Sequence, residues 1–117
     1  MPITEGDDVR GSNSVHQHGD WTVVVPPSEV DPSTAPDLRA TVEDLRSSGA
    51  EQVAVDWRGV TFFDSSAIGV LMGAHREITE SGGRLAVVCA TGVPRRLFDL
   101  MGLDQVLNFV TTTDELD

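Results

Sequence analysis

Strand-like and helix-like runs alternate along this chain, and that alternation limits the folds open to it more than any other feature. Trp21-Thr22-Val23-Val24-Val25 is a β-branched run disposed to extend. Ala35, Leu38, Val42 and Leu45 then recur at intervals of three and four, which predicts an amphipathic helix from Thr34 to Ser47. Thr34 reads as its cap, Pro36 and Asp37 suit its first turn, and Gly49 supplies its stop. Gln52-Val53-Ala54-Val55-Asp56-Trp57 has the apolar character of a central strand. A turn at Arg58-Gly59 and an extended Val60-Thr61-Phe62-Phe63 lead to Asp64. From Ser66 to Glu80, Ile68, Leu71, Met72 and Ile78 form a second apolar stripe, closed by Gly82-Gly83. A strand from Arg84 to Cys89, a short helix from Pro94 to Met101, a strand from Gln105 to Val110 and a turn from Thr112 follow. Upstream, Asn13 to His18 is expected to pair with Trp21 to Val25 as a hairpin through Gly19-Asp20, ended by Pro26-Pro27.

This pattern predicts an α/β fold, a small mixed β-sheet with helices packed against it, built as a single domain over residues 13–117. Residues 1–12 are polar, acidic and without periodicity, and are expected to form a disordered tail. In such a sheet, binding sites gather where loops leave the carboxyl ends of parallel strands. Asp31 follows the strand ending at Val25, Asp56 ends the next strand, and Asp64 and Ser65 lie just beyond it, so all are candidates for one edge.

A formal charge of −11 argues against a protein that works by neutralising phosphates, so neither nucleic acid nor an anionic membrane is an expected partner. Aromatics make up 5% of the residues, which points to an aliphatic core. Cys89 lies in the apolar run Leu85-Ala86-Val87-Val88-Cys89-Ala90 and is read as a buried thiol in a reducing compartment. Met1 to Gly19 has neither a basic start nor an apolar block, and the expected location is the cytoplasm.

Asp64-Ser65-Ser66 stands between an extended run and a helix, where backbone N–H groups and the positive end of the helix dipole favour oxygen atoms. Two readings follow. One is a plain helix cap, worth about 1 kcal/mol. The other is a serine hydroxyl that accepts a phosphoryl group, whose charge of roughly −1.5 to −2 would alter an interface. An enzyme is not expected, because a serine hydrolase needs a base beside Ser65 and the histidines are His16, His18 and His75, the last about two and a half turns along the helix. His16 and His18 share strand-like spacing but have no Cys or acidic partner at motif spacing, so no metal site and no cofactor are expected. Asp56 as a phosphoacceptor would need a further acidic cluster for Mg²⁺ and a lysine, against few basic residues in total. Gly69 and Gly73 lie inside the second helix and read as packing positions, and Arg95-Arg96 as solvated surface.

The segment Val55-Asp56-Trp57-Arg58-Gly59-Val60-Thr61-Phe62-Phe63-Asp64-Ser65-Ser66-Ala67-Ile68-Gly69-Val70-Leu71 resembles the signature of the STAS family, specifically the bacterial anti-sigma factor antagonists. Glu29-Val30-Asp31, Gly82-Gly83 and the run Arg96-Leu97-Phe98-Asp99-Leu100-Met101-Gly102-Leu103 extend the resemblance over roughly residues 14 to 116. The resemblance implies partner switching in transcription regulation. Ser65 would be phosphorylated by an anti-sigma factor that is also a serine/threonine kinase, and a metal-dependent serine phosphatase would restore it. ATP and Mg²⁺ would belong to the partner. Asp31 and Asp64 match acidic positions that shape the site, and Ser66 is assigned to capping. Ala67 stands where the family usually has Gly, so a methyl group is expected near the contact surface, and Ser28 replaces a glycine before Glu29-Val30-Asp31. The alternative within the resemblance is a STAS scaffold or sensor without reversible phosphorylation.

Overall fold

The apolar runs pair into one six-stranded sheet. The computed structural model describes residues 8–10 and 12–116. Its strands are β1 (Asp8–Arg10), β2 (Asn13–His18), β3 (Trp21–Val25), β4 (Glu29–Val30), β5 (Gln52–Asp56), β6 (Phe62–Phe63), β7 (Arg84–Val88) and β8 (Asn108–Val110). The large sheet runs β1-β2-β3-β5-β7-β8. Its first three strands are antiparallel, and β3, β5, β7 and β8 are parallel. Parallel neighbours require crossovers, which are the helices α1 (Ala35–Ser47), α2 (Ser65–Glu80) and α3 (Val93–Leu100). The expected mixed α/β single domain is therefore what the chain forms.

Period-two alternation sorts the strand residues. Val24, Val53, Val55, Leu85 and Val87 share a core with Leu38, Val42 and Leu45 of α1, with Leu71 and Ile78 of α2, and with Phe98 of α3. Trp21, Val23, Ala54, Ala86 and Val88 form a second cluster on the other face, to which no helix contributes. All three helices thus lie on one side. Cys89 sits in the first core, and burial pushes its thiol pKa up. Gly19 turns the β2–β3 hairpin at φ 62°, a left-handed conformation that glycine adopts without strain.

Several expectations are corrected. Asp8–Arg10, inside the stretch expected to be disordered, pairs with Asn13–Val15. The outer edge of β2 offers backbone donors and acceptors that another strand satisfies, and composition does not register that. Residues 1–7 and 11 lie outside the described residues. On α2 the buried positions are Ala67, Val70, Leu71, Gly73, Ala74 and Ile78, while Ile68 and Met72 are only partly buried. The helix turns its small residues inward because it packs on α1 as well as on the sheet. Gly73 lies beneath the Arg39 guanidinium of α1, whereas Gly69 is exposed with open space around it, so only Gly73 is a packing position. The last strand starts at Asn108 and not at Gln105, because Leu103–Gln105 forms a 3-10 turn after Gly102 that buries Leu103 and Leu107 four residues apart.

Candidate functional site

The site rests on a two-stranded parallel sheet, β4 with β6, that is separate from the large one. Its register sets Val30 beside Phe63, so the next residues, Asp31 and Asp64, leave the pair together. Each then opens a helix, Asp31 four residues before α1 and Asp64 immediately before α2. Backbone N–H groups of Thr61 and Phe62 donate to the Ser28 carbonyl at 2.7 and 3.2 Å and tie the two loops at their base.

Asp64 is the cap of α2. Its Oδ1 accepts from the Ser66 backbone N–H at 2.9 Å, and the Ser66 hydroxyl donates to the same oxygen in a short hydrogen bond. The Ser66 side chain is therefore committed to the turn, in keeping with its assignment to capping. Ser65 differs. It is the first residue of α2, it is exposed, and its hydroxyl makes no hydrogen bond with any described residue. Of two adjacent serines, one is locked and the other is available.

Asp31 builds the matching turn. Its Oδ1 accepts from the Ser33 hydroxyl at 2.6 Å and from the backbone N–H groups of Ser33 at 2.9 Å and Thr34 at 3.3 Å. These bonds, the Ser33 hydroxyl first, hold the Asp31 carboxyl below its ordinary pKa. Thr34 was expected to cap α1, yet its side chain accepts no helix N–H. Its hydroxyl donates to the Glu29 carbonyl at 2.8 Å and accepts from the Asp31 N–H at 3.0 Å, which braces the loop.

Two of the expected site residues lie elsewhere. Ala67 is fully buried in the core, so its methyl group does not project at the contact surface. It is the third helical residue and points at the sheet side. Gly69, one turn beyond Ser65 and on the same helical face, is exposed and takes the flanking position. Asp56 belongs to the strand positions directed away from the helices, alternating with Val55. Burial alone would raise its pKa. Bidentate bonds from Arg58, Nε at 2.9 Å and Nη2 at 2.8 Å, with the Arg58 backbone N–H at 3.1 Å, bring it below the ordinary value. It is a partnered structural carboxylate.

Two features escaped the sequence reading. Phe63 stacks on Phe98 of α3 with ring centroids 5.2 Å apart and meets Trp57 edge-on at 5.5 Å, which anchors the strand that carries Asp64. The concentration of scarce aromatics at Trp57, Phe62, Phe63 and Phe98 was the available signal. The second is an apolar cleft of about 360 Å³ between α1 and α2, lined by Pro32, Ala35, Pro36, Arg39, Ser66 and Val70 beside the turn. His75 lies ten residues along α2 from Ser65, about 15 Å away by helical rise. Among the described residues no group of three or more His, Cys, Asp or Glu is placed to hold a metal ion, and no helix is long and apolar enough to cross a membrane.

The sequence and the fold have counterparts in known proteins. The chain is 28% identical over 94 residues to the anti-sigma F factor antagonist of Paenibacillus polymyxa, covering 76% of this chain and 80% of that protein. It is 26% identical over 91 residues to the anti-sigma-B factor antagonist of Staphylococcus epidermidis, covering 78% and 84%. Among solved structures, an anti-sigma factor antagonist from Mycobacterium paratuberculosis superposes with a TM-score of 0.78 at 23% identity, covering 98% of this chain and 94% of that one. The Bacillus cell fate determinant SpoIIAA in its phosphorylated form superposes with a TM-score of 0.69 at 21% identity, covering 90% and 96%. At these identities the solved structures establish the fold. The model of the STAS domain matches residues 12–116, nearly the whole chain, and the chain belongs to the STAS domain family.

Proposed function

We propose that this chain is an anti-sigma factor antagonist whose complex with an anti-sigma factor kinase is broken by phosphorylation of Ser65. The observation that carries the proposal is the contrast between the two serines of the turn, an exposed and uncommitted Ser65 hydroxyl beside a Ser66 hydroxyl held by Asp64. In the transfer, Ser65 Oγ bonds to the γ-phosphorus of ATP, the bond to ADP breaks, and the hydroxyl proton passes to a base of the kinase. ATP and Mg²⁺ are supplied by that partner. Before transfer, Asp31 and Asp64 present a moderately anionic edge suited to a basic partner surface. Afterwards a group of roughly −1.5 to −2 charge joins them, and any partner surface matched to the bare turn meets repulsion and a desolvation cost. The helix dipole keeps the phosphorylated turn itself intact. A metal-dependent serine phosphatase in the cytoplasm completes the cycle.

The test is a reaction of the purified chain with anti-sigma factor kinases, ATP and Mg²⁺, followed by mass mapping. Phosphate is expected on Ser65. Ser65→Ala should bind the kinase but take no phosphate, Ser66→Ala should still be modified, and Ser65→Asp should weaken the complex at least about tenfold, a loss of about 1.4 kcal/mol. Phosphate on another residue, or none with any kinase that binds the chain, would sink the proposal in favour of a STAS scaffold that is not phosphorylated.

A further inference from the structure

Helix α3 is turned inside out relative to its composition. Of the six large hydrophobic side chains that are exposed among the described residues, five fall between Val93 and Val106. Val93, Leu97, Leu100 and Met101 follow one another at intervals of four, three and one, which sets them on one helical face, and they are 68%, 44%, 77% and 54% exposed. The inward side is made by Phe98, stacked on Phe63, and by Arg95, whose guanidinium lies 4.9 Å over the Phe109 ring. The helix is thus held in place by its inner side while its aliphatic residues face outward. A lone exposed leucine would be unremarked, but a contiguous stripe on an ordered helix marks an interaction surface.

Charge selects the occupant. Between Val93 and Val106 the chain holds two arginines against two acidic residues, whereas the rest holds six arginines against seventeen. Over most of its surface a second copy meets strong like-charge repulsion; at α3 it does not. The local charges are also self-complementary. Arg96 is exposed toward one end of the stripe and Asp104 is exposed beyond the other, so an antiparallel pair of helices related by a two-fold axis would set opposite charges together at both ends. A basic partner, by contrast, is drawn to the acidic edge at Asp31 and Asp64.

We propose that the α3 face is a homodimer contact, in which Leu97 and Leu100 of one copy pack against the same residues of a second copy. An eight-residue helix is only about 12 Å long. Such a face covers less than the roughly 800 Å² per partner of a stable complex, so the dimer is weak, half-formed near about 0.1 mM. This contact is independent of phosphorylation at Ser65.

Sedimentation velocity of the full chain from about 1 μM to about 1 mM tests it. The weight-average mass is expected to rise from that of one chain towards that of two. Added salt should strengthen the association, because the repulsion between the acidic remainders is screened. Leu97→Asp and Leu100→Asp should each shift the midpoint at least about tenfold upward, with unchanged far-UV circular dichroism because both side chains are exposed. Leu100→Ser serves as a milder second variant. Dilution should move backbone amide resonances of Val93 to Val106 and leave those of Asp31 and Ser65 in place. A single-chain mass at every concentration overturns the proposal, as does a dimer insensitive to all three substitutions. A chain that stays single while Leu100→Asp weakens its complex with an anti-sigma factor also overturns it and assigns the face to that partner.

Discussion

At the scale of residues, carboxylates decide what this chain presents. Asp31 and Asp64 close turns, each accepting two or more hydrogen bonds through one oxygen, and Asp56 is clamped by both arms of Arg58. Because the Asp56 pKa is lowered in the folded chain, its contribution is present above the ordinary value of 3.8 and disappears as pH falls through the folded value. Asp56→Asn is therefore expected to cost about 1 to 2 kcal/mol near neutral pH, with the partial exposure of Arg58 keeping the figure modest. The difference should narrow as pH falls below 3.8 and vanish once the folded value is passed. Urea unfolding of both chains from neutral pH into the acid range checks this; a gap that does not narrow below pH 3.8 would show that Asp56 acts through packing. The serine pair obeys the same logic. Adjacent hydroxyls look alike in a sequence, and only the Asp64 bond separates Ser66 from Ser65.

At the scale of elements, glycines mark where helices and strands meet closely and where they do not. Gly69 is exposed, in helical conformation, with open space where a Cβ would stand. Gly69→Ala is expected to stabilise the chain by roughly 0.5 to 1 kcal/mol, as alanine gains over glycine in a helix interior. Gly83, between α2 and β7, is the opposite case, since a Cβ there would run into the Glu51 carbonyl and crowd Ile78. Gly83→Ala should destabilise by about 2 kcal/mol or more, because backbone cannot give way as a side chain can. Thermal unfolding of the two variants should move in opposite directions, and a common direction would contradict the packing described for α2. Helix α2 was legible as a helix from its periodicity, but its buried arc was not. Ala67 and Ala74 face inward in place of Ile68 and Met72 because α1 and the sheet both press on it, and a stripe drawn from large residues alone misses small ones chosen for close approach.

At the scale of the whole molecule, acidic charge is spread over a thin sheet with helices on one side. Net charge of −11 opposes the compact state through self-repulsion. Raising sodium chloride from about 10 mM to about 0.5 M should raise the melting temperature by several degrees as the Debye length shrinks. A fall would mean that favourable ion pairs outweigh the repulsion; Asp56–Arg58 is close at 2.8 Å, but the pairs of Arg39 and Arg95 stand 3.6 to 3.7 Å apart at half-exposed positions and contribute little.

Alternation and periodicity, read from the sequence alone, determined the order of the main strands and helices, the mixed α/β class and the placing of Ser65 at a helix start. These are local properties, carried by side-chain spacing of two or of three and four. Only the tertiary structure decided which loops stand together. The register of Val30 beside Phe63 brings Asp31 to Asp64, in strands of two residues that are too short to leave a periodic trace. It likewise sent Asp56 to the face without helices, buried Ala67 and turned the aliphatic side of α3 outward. Each of those outcomes depends on a neighbour distant in sequence, and spacing along one chain does not encode which neighbour that is.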